Sequence, residues 1–204
     1  MFLYENLNTR LCKLLPGSIM RCNARRRYGV LLVSLLLFLL GNVSLAASET
    51  TSPQEYQIKA AFLYTITKFV EWPASGNTAQ SPTLNIAILG QDPFGANLEP
   101  IKGKTARGRT IVFKHFRRVE DVKDCDVVFI SASEKGRLAR ILKHLQSSPV
   151  LTVADQDGFC EAGGMINLIT VKNRVVLEIN VAAARRAQLT ISSQLLKLAK
   201  IVTE

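Results

Sequence analysis

The segment at residues 126–153, DVVFISASEKGRLARILKHLQSSPVLTV, decides the fold class because it contains three local patterns in a fixed order. Residues 126–130 end in a continuous apolar run, which is typical of a strand covered on both faces. Leucine and isoleucine then recur at helical spacing. Residues 150–153, VLTV, form a second short run that is typical of a strand. Strand, helix and strand in this order predict a parallel sheet with helices on its faces.

The residues upstream extend the same pattern. Ser52 as an N-cap and Pro53 in the first turn predict the start of a helix, which an apolar sequence continues as far as Trp72. Residues 84–89 and 110–116 are short runs rich in Ile, Leu and Val, and each predicts a strand. The parallel part of the sheet therefore begins well before the segment at 126–153.

The pattern changes towards the C-terminus. Residues 165–171 and 175–180 are strand-like runs, and they are too close together for a helical crossover, so we expect a hairpin. A last helix is predicted from apolar residues at spacings of three and four: Ala184, Ala187, Ile191, Leu195, Leu198 and Val202. The predicted fold class is α/β, with three layers, a mostly parallel sheet with helices on both faces, and a C-terminal β-hairpin plus helix.

Residues 1–46 have the order of a secretory signal peptide. Three consecutive arginines precede the apolar residues 30–40, and the small-residue stretch GNVSLAA follows. We expect Met20 to be the true start, the signal to be cleaved, and a single α/β domain over residues 47–204 to reside in the periplasm. An uncleaved anchor is the alternative, because residues 30–47 approach the length of a membrane span.

The charge balance argues against a nucleic-acid-binding protein. The whole chain has 26 Lys and Arg against 16 Asp and Glu. Six of these bases and one of these acids lie in residues 1–46, so the remainder has 20 basic and 15 acidic side chains. The resulting net charge of +5 is only mildly basic. Nucleic-acid-binding domains usually concentrate a larger basic excess on one face.

The loop at residues 157–168, DGFCEAGGMINL, places Cys160 near a glycine pair and raises the question of catalysis. A thiol nucleophile needs an adjacent base. His115 lies in a predicted strand and His144 on a predicted helix, and neither is placed beside Cys160 by its sequence context. Ser131 follows a strand but lacks the G-x-S-x-G elbow of serine hydrolases. We therefore predict no catalytic residue and no enzymatic activity.

Metal and phosphate sites are disfavoured by similar arguments. No pair among the cysteines and histidines has the spacing of zinc ligands. Gly163 and Gly164 lead into a strand, whereas phosphate-binding loops lead into a helix. We expect no metal and no cofactor, and we expect these glycines to supply a positive φ or a bulge where a strand begins.

Cys125 and Cys160 are the two cysteines beyond the predicted signal peptide, and in an oxidising compartment two cysteines invite a disulfide. Cys125 precedes the predicted strand at 126–130, whereas Cys160 follows the one at 150–153. If these strands run parallel, the two thiols lie at opposite ends of the sheet, on the order of 15 Å apart or more. A disulfide needs Cα atoms within about 7 Å, so we expect none between them.

The carboxyl ends of the predicted strands carry the first candidate binding residues. Asp92, Ser131 and Asp155 each follow a strand, and Phe159 lies in the loop after Asp155. Ligands of open α/β sheets usually bind at this edge of the sheet. We therefore expect a ligand or a partner to contact these four residues.

A basic cluster forms a second candidate surface. Seven Lys and Arg residues lie between positions 102 and 118, among them Arg107 and Arg109. A run of like charges is usually a solvated face, but such a cluster also suits an acidic protein partner. Arg107 and Arg109 are therefore further candidates for partner binding.

The longer motifs of the chain resemble those of the YfiR family of bacterial periplasmic proteins. They are YQIKAAFLYTITKFVEWP, AILGQDPFG, GKTARGRTI, CDVVFISASE, VLTVADQDGFCEAGGMINL and EINVAAARRAQLTISSQLLKLAKIV. These motifs occur in the family's order and cover nearly all of residues 54–202. Family-like positions include Tyr56, Lys59, Asp92 and Asp155.

The resemblance implies regulation without catalysis. It implies a soluble periplasmic repressor that docks on the periplasmic sensor domain of an inner-membrane diguanylate cyclase, a GGDEF protein, and so limits cyclic-di-GMP synthesis. It also implies sequestration by an OmpA-like outer-membrane lipoprotein, a homodimer, and the use of disulfides. The alternative function is a periplasmic small-ligand binding or sensor module that uses the carboxyl ends of the strands.

Overall fold

The computed structural model describes residues 53–74, 81–146 and 148–203. The predicted signal peptide at 1–46 and the predicted cap at Ser52 lie outside the described residues. All described residues belong to one unit, Thr50–Glu204. Of the helices in these three ranges, none has both the length and the apolar character that crossing a membrane requires.

Helices and strands alternate along most of the described chain. The α-helices in this part are α1 (Pro53–Phe69), α2 (Leu138–Leu145), α3 (Val181–Arg186) and α4 (Ser193–Leu196). The strands are β1 (Val70–Glu71), β2 (Thr83–Leu89), β3 (Thr105–Ala106), β4 (Arg109–Phe116), β5 (Val127–Ile130), β6 (Leu151–Ala154), β7 (Ile166–Val171), β8 (Arg174–Ile179), β9 (Thr190–Ile191) and β10 (Ala199–Ile201). Three 3-10 turns lie at Gly95–Leu98, Val119–Asp121 and Ala132–Arg137.

Eight of these strands form one sheet in the order β10-β8-β7-β6-β5-β2-β4-β3. Strands β4, β2, β5, β6 and β7 run parallel to their neighbours within this series. The predicted hairpin is present, because β7 and β8 pair antiparallel around a short turn. The fold class predicted from the sequence, a mostly parallel α/β sheet followed by a hairpin, is confirmed.

Two apolar clusters on opposite faces of the sheet account for the three layers. On one face, Leu63 and Ile66 of α1 are fully buried in the same cluster as Ile86 of β2. On the other face, Ile141 of α2 is buried in a cluster with Val128 of β5. Because successive residues of a strand point to opposite faces, the continuous apolar runs of β2 and β5 supply both clusters.

The predicted last helix is wrong as a continuous element. Asn180 Oδ1 accepts a hydrogen bond from Ala183 N at 2.9 Å and begins α3, but Gln188 has a φ of 60°, which ends the helix. The chain then forms β9, which pairs with β1, and later β10, which adds to β8. Ile191 and Leu195, two of the residues that predicted the helix, are buried, whereas Leu198 is 73% exposed. The apolar spacing therefore reflected burial in several short elements and not one continuous helix.

The loop that joins β6 to β7 needs glycine at two adjacent positions. Gly163 has a φ of 97°, a conformation that L-residues rarely adopt, as predicted for this strand start. A Cβ atom on Gly164 would lie 2.2 Å from the Phe159 ring, which is fully buried. The close approach of Gly164 to this ring therefore fixes the path of the loop.

We expect Gly164→Ala to lower the free energy of unfolding by about 1–3 kcal/mol, because the added methyl group overpacks a filled core. Gly136→Ala is the matched control, since nothing lies within 4 Å of a Cβ at that exposed position. Urea unfolding of both variants measures the difference. Equal stability of the two variants would contradict this account of the loop.

Candidate functional site

Three of the predicted site residues meet at one edge of the sheet. Ser131 and Asp155 come directly after β5 and β6, and Asp92 follows β2 by three positions. These strands are neighbours in the parallel sheet, so their carboxyl ends lie side by side. The three residues therefore lie side by side at strand ends, and binding of a ligand or partner at this edge stays a prediction.

The Asp92 carboxylate is engaged in local contacts. Its Oδ1 accepts hydrogen bonds from Phe94 N at 2.8 Å and from Gly95 N at 3.4 Å. Its Oδ2 lies 3.0 Å from His115 Nε2 on β4. Asp92 thus holds the backbone that leads into the 3-10 turn Gly95–Leu98.

Ser131 is a capping residue. It is 4% exposed, and its hydroxyl accepts a hydrogen bond from Ser133 N at 3.4 Å at the start of the 3-10 turn. Ser133 Oγ in turn accepts a hydrogen bond from Gln91 N at 2.9 Å. The loops after β2 and β5 are therefore tied to each other, and the Ser131 hydroxyl faces its own turn.

Asp155 belongs to a buried polar cluster that joins α1 to the end of β6. Its Oδ2 accepts hydrogen bonds from the Tyr56 hydroxyl at 2.8 Å and from Lys59 Nζ at 3.0 Å. Lys59 Nζ also lies 2.6 Å from Glu55 Oε1, and the Lys59 and Asp155 side chains are only 4% and 3% exposed. We call Glu55, Tyr56, Lys59 and Asp155 the lysine cluster.

The pKa values in the lysine cluster follow from this geometry. Burial and then the negative charge of Asp155 raise the pKa of Tyr56, so the phenol stays protonated and donates to the carboxylate. Burial alone would raise the pKa of Glu55, but the hydrogen bonds from Lys59 and Thr170 outweigh it and lower the pKa. The cluster is therefore a paired structural unit at neutral pH.

Phe159 is not available to a ligand or a partner, which corrects the sequence prediction. Its side chain is 0% exposed and lies in the apolar cluster beneath α2. The loop folds back so that Phe159 N bonds Gln156 O and Gly164 N bonds Phe159 O. The prediction rested on the position of Phe159 beyond a strand end, and that position does not show that the side chain turns into the core.

Arg109 lies at the opposite edge of the sheet, away from the other candidates. Its guanidinium group donates to both carboxylate oxygens of Asp126, each at 2.8 Å, and also to Thr83 O at 2.6 Å. Asp126 is fully buried and the Arg109 side chain is 13% exposed. Arg109 is thus a structural residue, and the expectation that it binds a partner is not supported by its contacts.

Arg107 is the more accessible of the two arginines. It lies in the turn between β3 and β4, its side chain is 41% exposed, and its guanidinium group is 3.2 Å from Glu71 on β1. A surface ion pair of this kind contributes little to stability, so Arg107 can exchange partners. It remains a candidate for partner binding, at the amino edge of the sheet.

The two cysteines are buried and poor nucleophiles. Both are free, and Cys125 and Cys160 are 5% and 0% exposed. Burial raises the pKa of Cys125 to about 11 and the pKa of Cys160 to about 12. Since β5 and β6 run parallel, Cys125 before β5 and Cys160 after β6 lie at opposite ends of the sheet. The absence of a disulfide between them stays a prediction.

Within residues 53–74, 81–146 and 148–203, no three His, Cys, Asp or Glu side chains come together in a way that could hold a metal ion. The structure does contain a groove that the sequence did not reveal. It has a volume of about 600 Å³ and lies between α2, α3 and the loop of Gly163 and Gly164 that joins β6 to β7, which we call the glycine loop. Its lining includes Leu142, Leu145, Glu161, Ala162, Met165 and Arg186.

We expect iodoacetamide to label both cysteines slowly in the native protein, because burial limits access and a raised pKa keeps the thiolate scarce at pH 8. Labelling in urea is the control, since unfolding removes both effects. Mass spectrometry before and after reduction of the monomer should give equal masses. Rapid labelling of native Cys160, or a gain of two hydrogens on reduction, would contradict this description.

We expect Asp155→Ala to lower the free energy of unfolding by about 1.5–3 kcal/mol, because the buried Lys59 ammonium loses one of its two carboxylates and keeps the other, Glu55. Asp157→Ala is the control at an exposed position in the same loop. Tyr56→Phe removes one hydrogen bond and should cost about 1 kcal/mol. Urea denaturation distinguishes these values, and an Asp155→Ala variant as stable as Asp157→Ala would refute the role of the cluster.

Two solved structures resemble this chain at low identity. An ABC domain in complex with L-Trp from Streptococcus pneumonia has a TM-score of 0.49 and 12% identity, covering 72% of this chain and 60% of that chain. A conserved domain protein from Vibrio cholerae has a TM-score of 0.49 and 14% identity, covering 73% of this chain and 60% of that chain. The chain thus spans 60% of the length of each structure, and such likeness carries no functional argument.

No curated protein matches the chain. A comparison with protein families, in contrast, gives a match over most of the described domain. The sequence profile of YfiR/HmsC-like proteins matches residues 56–200, from Tyr56 of the lysine cluster to β10. The chain belongs to the YfiR/HmsC-like family.

Proposed function

We propose that this protein is a periplasmic regulator that represses an inner-membrane diguanylate cyclase by binding its periplasmic domain, and so lowers cyclic-di-GMP. The observation that carries the proposal is the family match over residues 56–200, which spans almost the whole described domain. A YfiR/HmsC-like protein is a regulator in general terms. The particular partner and the direction of the effect are the proposal.

The internal contacts of the sheet edge support action through protein contact. Asp92 and Ser131 use their side chains to bind nearby backbone groups, and Asp155 Oδ2 is bonded within the lysine cluster. Cys125 and Cys160 are buried with raised pKa values. Side chains held in this way stabilise a rigid body, and a rigid body suits a protein that acts by docking.

The open edge of the sheet at β10 is the surface that we propose for docking. β10 is the terminal strand of the sheet among the described residues, and no other described strand pairs with its outer backbone groups. Leu198 and Ile201 are 73% and 50% exposed there. An exposed strand with apolar side chains is a template for the addition of a partner's strand. We call residues 198–201 the docking edge.

The docking edge also provides a route to regulation. An OmpA-like outer-membrane lipoprotein and a second copy of the chain are the other partners that the family resemblance implies. If either one covered the docking edge, it would compete with the cyclase. Release of repression would then follow from mass action among partners. The lipoprotein and the homodimer stay predictions.

A second candidate function, binding of a small ligand, is supported by the groove of about 600 Å³ beside the glycine loop. This volume lies in the range of small-molecule sites, roughly 300–1,000 Å³. The groove is not at the predicted position beside Asp92, Ser131 and Asp155. Both functions can coexist, because a ligand in the groove can shift the equilibrium between docked and free states.

We expect deletion of the gene to raise cellular cyclic-di-GMP severalfold, because the cyclase loses its repressor. Complementation with the wild-type chain should restore the low level, whereas Leu198→Asp should not, since it places a charge on the docking edge. Ala96→Asp is the matched control: it adds the same charge at an exposed site on the turn after β2. That turn follows a strand about 24 Å across the sheet from β10, at about 4.8 Å per strand.

Cyclic-di-GMP in extracts is the quantity to measure, alongside periplasmic amounts of each variant. An unchanged level on deletion, under several growth conditions, would contradict repression and favour the small-ligand function. Full complementation by Leu198→Asp would show that the docking surface is not at β10, but it would not contradict repression of the cyclase.

A further inference from the structure

Four arginines from two separate segments converge beside the carboxyl edge of the sheet. Arg117 and Arg118 follow β4, whereas Arg137 and Arg140 lie at the end of a 3-10 turn and on α2. Together they line a cleft of about 240 Å³. We call this group the arginine cleft. The basic cluster predicted from the sequence contained only its first two members, because the other two lie about 20 residues further along the chain.

The cleft carries an excess of positive charge. Its only acidic lining residues are Glu120 and Glu134, so the four guanidinium groups exceed the carboxylates by two. Arg118 and Arg140 share Glu120 at 3.5 and 2.5 Å, and Arg137 pairs with Glu134 at 2.7 Å. Arg117 has no hydrogen bond or ion pair to any residue in the described part of the chain. One guanidinium group is therefore available at once.

Two further arginines can also turn towards a new anion. The side chains of Arg118 and Arg140 are 67% and 74% exposed, and Glu120, which they share, is 34% exposed. Ion pairs at this exposure are weak, so exchange of that carboxylate for an external anion costs little. Arg137 stays paired with Glu134, whose side chain is only 5% exposed, and adds positive charge to the cleft. A backbone hydrogen bond, followed by Arg140 and Arg118, lowers the pKa of Glu120, so the charge balance of the cleft persists at neutral pH.

The location agrees with the usual site of ligands in such sheets. The chain runs from β2 to β4 on one side and then crosses to β5 on the other side of β2. Ligand sites of open α/β sheets lie outside the carboxyl ends of the strands where the connections change direction in this way. Glu134, in the turn after β5, forms part of the arginine cleft at this point.

The openness of the cleft favours an anion presented by a surface over a free small molecule. A small-molecule site normally encloses most of its ligand. Here three of the four arginine side chains are more than half exposed, so the cleft can cover only one face of an anionic group. Guanidinium groups match phosphate oxygens in pairs, which makes phosphate the fitting anion.

We propose that the arginine cleft binds the phosphate groups of an anionic phospholipid surface. The protein would then lie with the carboxyl edge of β4 and β5 towards a membrane, leaving the docking edge at β10 free. The inference does not depend on repression of a cyclase, because lipid binding is measured on the purified protein alone.

The test is co-sedimentation of the purified protein with vesicles of phosphatidylcholine, with and without phosphatidylglycerol. We expect binding only when phosphatidylglycerol is present, and weaker binding as salt is raised. The double variant Arg117→Ala/Arg140→Ala should lose about tenfold or more in partitioning, from the attraction of each basic residue to an anionic surface. Inorganic phosphate, titrated by calorimetry, shows whether the free anion is bound instead.

The matched control is Lys172→Ala/Arg174→Ala, which removes the same charge at exposed positions around the β7–β8 turn. It should bind vesicles nearly as well as the wild type. Equal losses in both double variants would overturn the proposal, because net charge alone would then explain binding. Failure of the wild type to bind, or binding of inorganic phosphate without vesicle binding, would overturn it too. If the double variant is poorly folded, Arg117→Ala gives the same comparison, since it breaks no described contact.

Discussion

The carboxylate of Asp126 is the interaction on which the rest of the sheet depends. It is fully buried and receives two hydrogen bonds from Arg109 on β4 and one from Asn85 N on β2, each at 2.8 Å. The backbone carbonyl of the same residue accepts from Leu151 N at the start of β6 and from Trp72 Nε1 after α1. One residue at the start of β5 is thus bonded to β4, β2 and β6 and to the segment that follows β1. Loss of either charge would leave the other buried and unpaired, at a cost of about 3–5 kcal/mol.

The lysine cluster performs the corresponding task at the other edge. It fixes α1 to the end of β6, while the side chains of Asp92 and Ser131 hold the neighbouring loops. Most of the hydrogen bonds of these side chains are therefore made within the domain. Besides Arg107 at the amino edge, three surfaces of the described residues are candidates for function: the docking edge at β10, the groove beside the glycine loop, and the arginine cleft. All three suit recognition, which agrees with membership of a regulatory family.

The sequence revealed the sheet better than the site, for reasons that particular residues make clear. A strand that is buried on both faces has apolar side chains at successive positions, so a continuous apolar run predicts such a strand directly. Asp155 was placed correctly at a strand end. Its partner Tyr56 lies 99 residues away, and local sequence patterns do not reveal a contact over that separation. The one available signal was Lys59 among the apolar residues of α1, since a lysine there requires a buried partner. The break at Gln188 was missed because β9, which follows it, pairs with β1 more than 100 residues earlier in the chain, and local apolar spacing carries no sign of that pairing.

We propose that a folded surface of this protein binds the periplasmic domain of a diguanylate cyclase. Calorimetry of the purified protein with the isolated periplasmic domain of a diguanylate cyclase from the same cell measures this binding directly. We expect saturable one-to-one binding that Leu198→Asp weakens and Ala96→Asp does not. Absence of binding between two folded partners would contradict it.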